Sequence, residues 1–387
     1  MSPLTARRPR VVAALIVATL LAAASPALAQ DDPADTGEPS APDAAGDVVP
    51  EAVSGVDALE FLDAAGLGIL ADRNDMSVAQ LTEVLADEAV TVMPEGVLLF
   101  TDVLHAPALT VPDEAPAGAF PNSQTFQLHS RPGSTKVIYL DFDGYELPAG
   151  TGWNNGNALT ALPWDIDGNG ANWSQAEHDI IQSTWARVSE DYAVFDVDVT
   201  TEDPGFDAIN RTNAADLDYG TRVVITDTPG IATPSGGCYY GGGCGGVAYR
   251  GVFDTYNANA HAYYQPAWAF PDSPSYGNTA KAITTIVSHE AGHNVGLSHD
   301  GESPGDGDYY YGHGMWAPIM GVDIREPVTQ WSRGEYANAT NTEDDFVVMQ
   351  GNGLALLPDD APDLSSPSID LDENGTSGLI GPVPVGS

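Results

Sequence analysis

The stretch from Ser288 to Asp300 places three histidines at fixed intervals, and it restricts the fold more tightly than any other part of the sequence. His289 and His293 are four residues apart, so on a helix both imidazoles project from one face and can share one metal ion. Gly296 can adopt a positive φ, which ends the helix and lets His299 return as a third ligand. The spacing therefore predicts a helix, a tight turn and a three-histidine metal site.

Glu290 is the candidate catalytic residue of this stretch. It lies about 100° around the helix from His289, beside the predicted metal ion. Three neutral imidazoles leave one position open, which is typical of a catalytic zinc site, whereas structural sites are closed by four protein ligands. Glu290 would act as general base and then acid on a zinc-activated water. The motif thus predicts hydrolysis of a peptide bond; the alternative is an ordinary amphipathic helix.

The complete pattern resembles the signature of the metzincin zinc metalloproteases. The residues that carry the resemblance are His289, Glu290, His293, Gly296, His299 and the supporting Asp300. Metzincins also have a tight turn with a methionine beneath the zinc. The resemblance identifies Met320 as the Met-turn residue, with Met315 as the competing candidate. Two positions later, Val322 replaces the tyrosine of astacin-like and serralysin-like enzymes, so the chain is more similar to reprolysin-like (adamalysin-type) and secreted bacterial enzymes.

The resemblance covers residues 126–350 and implies their fold. The expected class is α/β (α+β), with a mixed five-stranded sheet, an active-site helix and a C-terminal helix. It also implies an antiparallel edge strand that binds extended substrate through its backbone. Gly246–Phe253 is the candidate for that edge, and the alternative is an ordinary strand. A capping box at Ser174 predicts a further helix, and the C-terminal helix is predicted to begin at Thr342.

The chain is expected to divide into five segments. An apolar run from Val11 to Ala24 follows three arginines and precedes Ala27-Leu28-Ala29, which is typical of a secretory signal peptide over residues 1–29. A disordered linker is expected over 30–50, and a small α+β propeptide module with a linker over 51–125. The catalytic domain follows over 126–350, and an acidic tail over 351–387. The protein is therefore expected to be secreted as a proenzyme.

Latency of such a precursor would need the module either to place a ligand on the metal or to cover the site. Both cysteines lie beyond residue 230, so a propeptide cysteine is excluded. Asp102 and His105 are the nearest residues of the module able to bind zinc, so one of them is the candidate blocking ligand, and plain steric cover of the site is the alternative. Cys238 and Cys244 are expected to form a disulfide in an oxidising compartment. The alternative is a pair of thiolate metal ligands.

Charge excludes several classes of partner. The chain has 55 acidic and 13 basic residues and a formal net charge of −42, which repels nucleic acid and anionic membrane surfaces. Asp165, Asp167 and Asn169 resemble part of a calcium loop, but Ala176 stands where an EF-hand needs its glutamate, so an Asx/Gly turn is the alternative. Ca²⁺ is thus a second candidate cofactor beside Zn²⁺.

The sequence as a whole predicts a secreted zinc endopeptidase with a protein or peptide substrate. We expect no membrane span beyond the signal peptide, and a monomer. The alternative function is a catalytically inactive module of the metzincin fold, used for binding or adhesion.

Overall fold

The computed structural model of the chain describes residues 46–103, 117–170, 172–234, 236–239, 243–256, 260–272, 277–303, 309–322 and 324–358. The predicted signal peptide, most of the linker after it, His105 and the tail from residue 359 lie outside these ranges. Among the described helices, none has both the length and the apolar character that crossing a membrane requires.

Helices and short strands alternate along the described residues. The strands are β1 (Val53–Ser54), β2 (Val90–Val92), β3 (Leu98–Val103), β4 (Lys136–Asp141), β5 (Tyr145–Leu147), β6 (Leu159–Ala161), β7 (Asp198–Thr200), β8 (Tyr219–Ile225), β9 (Gly230–Ile231), β10 (Cys238–Tyr239), β11 (Cys244–Tyr249), β12 (Ala267–Ala269), β13 (Trp316–Pro318) and β14 (Val328–Gln330). The helices are α1 (Gly55–Phe61), α2 (Ala64–Arg73), α3 (Val78–Leu85), α4 (Gln175–Asp191), α5 (Phe206–Ile209), α6 (Ala260–Tyr264), α7 (Ala280–Asn294) and α8 (Asp345–Gly351), with 3-10 turns at Asn122–Gln124 and Asn154–Gly156.

One mixed sheet organises these elements. Its strand order is β1-β2-β3-β11-β12-β8-β4-β7. Strands β12, β8, β4 and β7 are parallel, whereas β11 is antiparallel to β12. The fold class is therefore mixed α/β, as predicted. Five strands come from residues 126–350, but the sheet has eight because β1, β2 and β3 continue it past β11.

The predicted edge strand is therefore not an edge in this form of the protein. Strand β11 covers part of the predicted segment Gly246–Phe253 and ends at Tyr249, before Gly251 turns the chain with a φ of 66°. The side of β11 that faces away from β12 is paired antiparallel with β3, with Gly246 opposite Asp102 and Ala248 opposite Phe100. The N-terminal module thus occupies the position in which an extended peptide would add to the sheet.

The N-terminal module, residues 46–103, has its own small core. Ser77 and Gln80 form a capping box at the start of α3, and β2 and β3 form a hairpin. The buried residues of the core include Val49, which lies in the segment expected to be disordered. Residues 46–50 therefore belong to the module. Its buried side chains come from α1, α2, α3 and the hairpin: Ala58, Leu70, Ala71, Leu81, Leu85, Val90, Val92, Leu98 and Phe100.

Helix α7 is positioned by the sheet and by α4. It contacts β8, β11 and β12 as well as α4, and nearly all of its residues are buried. The predicted capping box of α4, Ser174 with Glu177, is present. At the C-terminal end of α4, the Tyr192 hydroxyl donates to the carbonyl of Ser288 at 3.0 Å. Apolar packing and polar contacts together hold the helix that carries the histidines.

The C-terminal helix begins at Asp345, three residues after the predicted start at Thr342. Helix α8 is capped by Asp344, whose side chain accepts from the N–H of Val347, rather than by Thr342. Asp345 is buried and instead accepts from the N–H of Ser332 at 2.7 Å. Beyond α8, Leu354 is buried in the main core, so the first residues of the predicted tail pack on the fold.

His129 links the start of the 126–350 region to β7. Its Nδ1 lies 2.6 Å from Asp198 and its Nε2 2.9 Å from Glu202. Burial lowers the pKa of His129, but the hydrogen bonds and charges of these two carboxylates outweigh it and raise the pKa above its ordinary value. Stability from this raised pKa is present below the unfolded pKa and is lost as pH rises through the folded pKa.

We expect His129→Gln to lower the free energy of unfolding by up to about 1 kcal/mol at about pH 5, and by much less at about pH 9. Denaturant unfolding at both pH values measures the difference. His178→Gln is the control, because burial lowers the pKa of His178. An equal loss at both pH values for His129→Gln would contradict the electrostatic origin of the effect.

Candidate metal centre

Helix α7 presents the first two histidines of the motif at its C-terminal end. His289 and His293 lie one turn apart and are buried, with ring centroids separated by 4.8 Å. Both Nε2 atoms are buried and lack a hydrogen-bond partner among the described residues. The predicted geometry, two imidazoles on one helical face, is therefore what the structure shows.

A turn at Gly296 brings the third histidine to the same point. Gly296 has a φ of 97°, and a β-carbon there would lie 2.3 Å from Nδ2 of Asn352. Glycine is thus required by both the backbone conformation and the close approach of Asn352. After the turn, the ring of His299 lies 5.1 Å from that of His289 and 4.9 Å from that of His293.

A fourth donor comes from the N-terminal module. Asp102, on β3, places Oδ1 2.7 Å from Nε2 of His299 and 3.8 Å from Nε2 of His289. Its Oδ2 lies 3.5 Å from Nε2 of His293. The four residues are buried, and each can offer one ligand atom within 4.8 Å of the others. Of the two predicted blocking residues, Asp102 reaches the cluster, and His105 lies outside the described residues.

The donor set and its spacing fit a metal ion. A tetrahedral site with metal–nitrogen bonds of about 2.0–2.1 Å has ligand atoms about 3.3 Å apart. Oδ1 of Asp102 lies 2.7 Å from Nε2 of His299 and 3.8 Å from Nε2 of His289, distances that bracket that value, and Oδ2 lies 3.5 Å from Nε2 of His293. Buried polar atoms without partners are rare, and a metal ion would satisfy His289 Nε2, His293 Nε2 and Asp102 Oδ2 together. Imidazole ligands suit zinc, copper, iron and nickel ions.

Each histidine is also held through its other ring nitrogen. Nδ1 of His289 lies 2.9 Å from the carbonyl of Ile319, and Nδ1 of His293 lies 2.9 Å from the carbonyl of Leu297. Nδ1 of His299 lies 2.6 Å from the carboxylate of Asp87, in the N-terminal module. Such outer contacts fix the tautomer that leaves Nε2 free for the metal.

The pKa values of the four groups follow from burial and from the carboxylates. Burial lowers the pKa of His289 to about 3 and also lowers that of His293. Burial acts in the same direction on His299, but Asp87 and Asp102 outweigh it and raise the pKa to about 10. Burial would raise the pKa of Asp102, yet His299 and His289 hold it well below its usual value.

Glu290 belongs to α7, and its carboxyl group lies against β11, next to the four donors. A β-carbon at Gly246 would be 2.0 Å from Glu290 Oε1, so glycine leaves the space that the carboxyl group fills. Burial and the neighbouring carboxylate of Asp102 raise the pKa of Glu290 well above its usual value. A cavity of about 10 Å³ borders Asp102 and Glu290, with Thr285 and Val322 in its wall. It has room for about one water molecule.

Tyr309 closes the cluster from the side of the cleft. Its hydroxyl donates to Oδ1 of Asp102 at 2.7 Å, and its ring lies 4.5 Å from that of His299. Asp102 is therefore contacted by Tyr309 as well as by the three histidines.

Met320 lies beneath the helix of the motif. It is fully buried, and its Sδ would be 2.6 Å from a β-carbon at Gly292. The competing candidate Met315 is 67% exposed, so it is not the methionine beneath the cluster. Asp300 is buried, and its N–H donates to the carbonyl of Met320 at 2.8 Å. Asp300 thus ties the loop after His299 to the turn that contains Met320.

The predicted disulfide between Cys238 and Cys244 is confirmed, and the alternative of two thiolate metal ligands is wrong. Both Sγ atoms lie near the carbonyl oxygen of Gly246, at 3.4 and 3.2 Å. The disulfide therefore fixes the start of β11 close to Glu290.

The predicted calcium loop is closed by its own hydrogen bonds. Oδ1 of Asp165 accepts from the N–H groups of Asp167 and Gly168, and Oδ1 of Asp167 accepts from that of Asn169. These bonds are those of the alternative, an Asx/Gly turn. Asp165, Asp167 and Glu177 can still each place one oxygen within 4.8 Å of the others. Calcium binding therefore stays a prediction.

Sequence reasoning missed Asp87 and Gly246. Asp87 is 212 positions from His299, and its sequence context shows only an acidic residue after a short helix. Gly246 was noted as the start of a strand, although its place in a glycine-rich stretch could have suggested a close approach by another group. No protein-family model, curated protein or solved structure matches this chain.

Proposed function

We propose that this chain is the precursor of a secreted zinc-dependent endopeptidase of the metzincin type. The observation that carries the proposal is the convergence of His289, His293 and His299 on one point with the carboxyl group of Glu290 beside it. A closed structural site has no need of such a carboxyl group. A strand able to pair with an extended peptide, β11, runs directly past it.

A zinc ion held by the three histidines would supply a Lewis acid that activates water and polarises a carbonyl. Glu290 then accepts the proton of the attacking water and returns it to the leaving amine. The Gly246 gap sets where the Glu290 carboxylate lies, and α7 keeps it one residue from His289. Backbone pairing with β11 holds the substrate extended across these groups.

In the precursor, the module occupies both the substrate-binding side of β11 and the histidine cluster. Strand β3 pairs with β11, so a substrate cannot use the same backbone groups. Asp102 projects from β3 into the histidine cluster, where a substrate strand would present its scissile peptide. The Asp102 carboxylate contains no peptide bond to hydrolyse, and it fills the position beside the histidines that the attacking water would need. We therefore assign latency to Asp102.

The decisive experiment is cleavage of casein by the chain after removal of residues up to the start of the 126–350 domain. We expect cleavage that stops with a zinc chelator and returns with zinc. Glu290→Gln should retain zinc and lose cleavage, because the side chain keeps its shape but cannot accept the proton. A correctly folded, zinc-loaded chain that cleaves no protein substrate would overturn the proposal.

One observation favours the rival function, an inactive binding module of the same fold. Four protein donors, Asp102 and the three histidines, are the number that closes a structural zinc site. The rival requires Asp102 to stay on the metal permanently. It therefore predicts that the secreted chain keeps residues 46–103, whereas the protease predicts their loss. Mass spectrometry of the secreted protein distinguishes the two.

A further inference from the structure

We propose that the N-terminal module completes the metal site as well as blocking it, so that the precursor is the form that captures the metal. The inference rests on the proposed function, in which the module is later released. Its basis is a second carboxylate, Asp87, which reaches the cluster from the same module.

Asp87 is held in a fixed position between α3 and β2. Its N–H donates to the carbonyl of Val84, and its own carbonyl accepts from the N–H of Val90, both at 3.2 Å. Its Oδ1 accepts from the N–H of Ala89 at 2.8 Å, which leaves Oδ2 directed at Nδ1 of His299 at 2.6 Å. The side chain is 10% exposed, so water competes little for this contact.

His299 depends on the module in a way that the other two histidines do not. His289 and His293 are held by the carbonyls of Ile319 and Leu297, which belong to the catalytic domain itself. The Nδ1 contact of His299 is with Asp87, which departs when the module is released. The orientation and tautomer of the third ligand are therefore set by a removable segment.

The module also packs directly on the ligand rings. Phe100, on β3, stacks on His293 with ring centroids 4.2 Å apart and meets His299 edge-on at 4.9 Å. Together with Asp102 and Asp87, it makes the module part of the wall of the site. Release of the module removes the candidate ligand Asp102, the carboxylate of Asp87 that contacts His299, and the ring of Phe100 that packs on His293 and His299.

This arrangement couples metal binding to docking of the module. Because coupling between two binding events is reciprocal, a module that strengthens zinc binding is itself held more tightly when zinc is bound. The metal-loaded precursor is thus the most stable assembly, and release of the module leaves the ion on three histidines. Metal capture precedes processing in this order of events.

The test is the zinc affinity of the intact precursor, measured by competition with a chromophoric chelator. We expect Asp87→Asn to weaken zinc binding about 10- to 100-fold, the range found for outer carboxylates of metal-bound histidines. The amide cannot serve both neighbours, since its oxygen can face the N–H of Ala89 or Nδ1 of His299 but not both. Glu88→Gln, an exposed neighbour with the same change of charge, should bind zinc like the parent.

A second measurement uses no substitution. The parent precursor should bind zinc at least about 10-fold more tightly than the processed parent chain. Processed chains from the parent and from Asp87→Asn are identical in sequence, so with excess zinc they should have equal activity. Equal zinc affinities of precursor and processed chain, or an unchanged affinity in folded Asp87→Asn, would overturn the inference. Failure to cleave casein would overturn only the protease proposal, because zinc affinity is measured without hydrolysis.

Discussion

The Asp102→Ala precursor is expected to cleave casein while the parent precursor does not. Alanine removes the carboxylate that contacts all three histidines and opens a position at the metal. It also removes the acceptor of the Tyr309 hydroxyl, so the module loses contacts on both sides of the cleft. Latency should fall because blocking and docking depend on the same side chain.

The expected effect is large. Breaking a buried charged pair by removing one partner costs about 3–5 kcal/mol. Since 1.4 kcal/mol corresponds to a factor of ten, docking of the module should weaken by at least about 100-fold. Initial rates of casein hydrolysis by purified precursors, with processing monitored by mass, measure this change. His105→Ala is the matched control, and a latent Asp102→Ala precursor would show that Asp102 does not block the site.

The residues of the site that the sequence predicted are those whose geometry is local. His289, His293 and Gly296 lie within eight consecutive positions, so helical spacing and one turn determine their arrangement. The capping boxes of α3 and α4 are equally local, and the structure contains both. Asp102 was identified because it is one of the nearest residues of the module able to bind zinc.

The contacts that the sequence could not predict depend on how distant segments meet. Asp87 reaches His299 only because β3 pairs with β11 in one register, with a bulge between Cys244 and Gly246. No local pattern specifies that register across the chain. The error at α8 has a similar origin, because Thr342, Asp344 and Asp345 are all good capping residues. The buried contact of Asp345 with Ser332 decides among them.

The functional importance of Gly246 can be tested without disturbing the metal. In the processed chain, Gly246→Ala would place a β-carbon 2.0 Å from Oε1 and 2.5 Å from Cδ of Glu290. The atoms in the way belong to the end of a flexible side chain, so the carboxylate moves and the fold persists. None of the metal ligands has to move, so zinc content should be unchanged.

We expect Gly246→Ala to lower kcat about 100-fold, because a catalytic group displaced by about 1 Å loses about two orders of magnitude. KM should change little, since β11 keeps its backbone. The Glu290→Asp variant, whose shorter side chain withdraws from position 246, provides a double-mutant cycle. Adding Gly246→Ala to Glu290→Asp should cost much less than it costs the parent, because the two positions act through one contact. Equal costs in the two backgrounds would show that Gly246 acts through the strand rather than through the carboxylate that it accommodates.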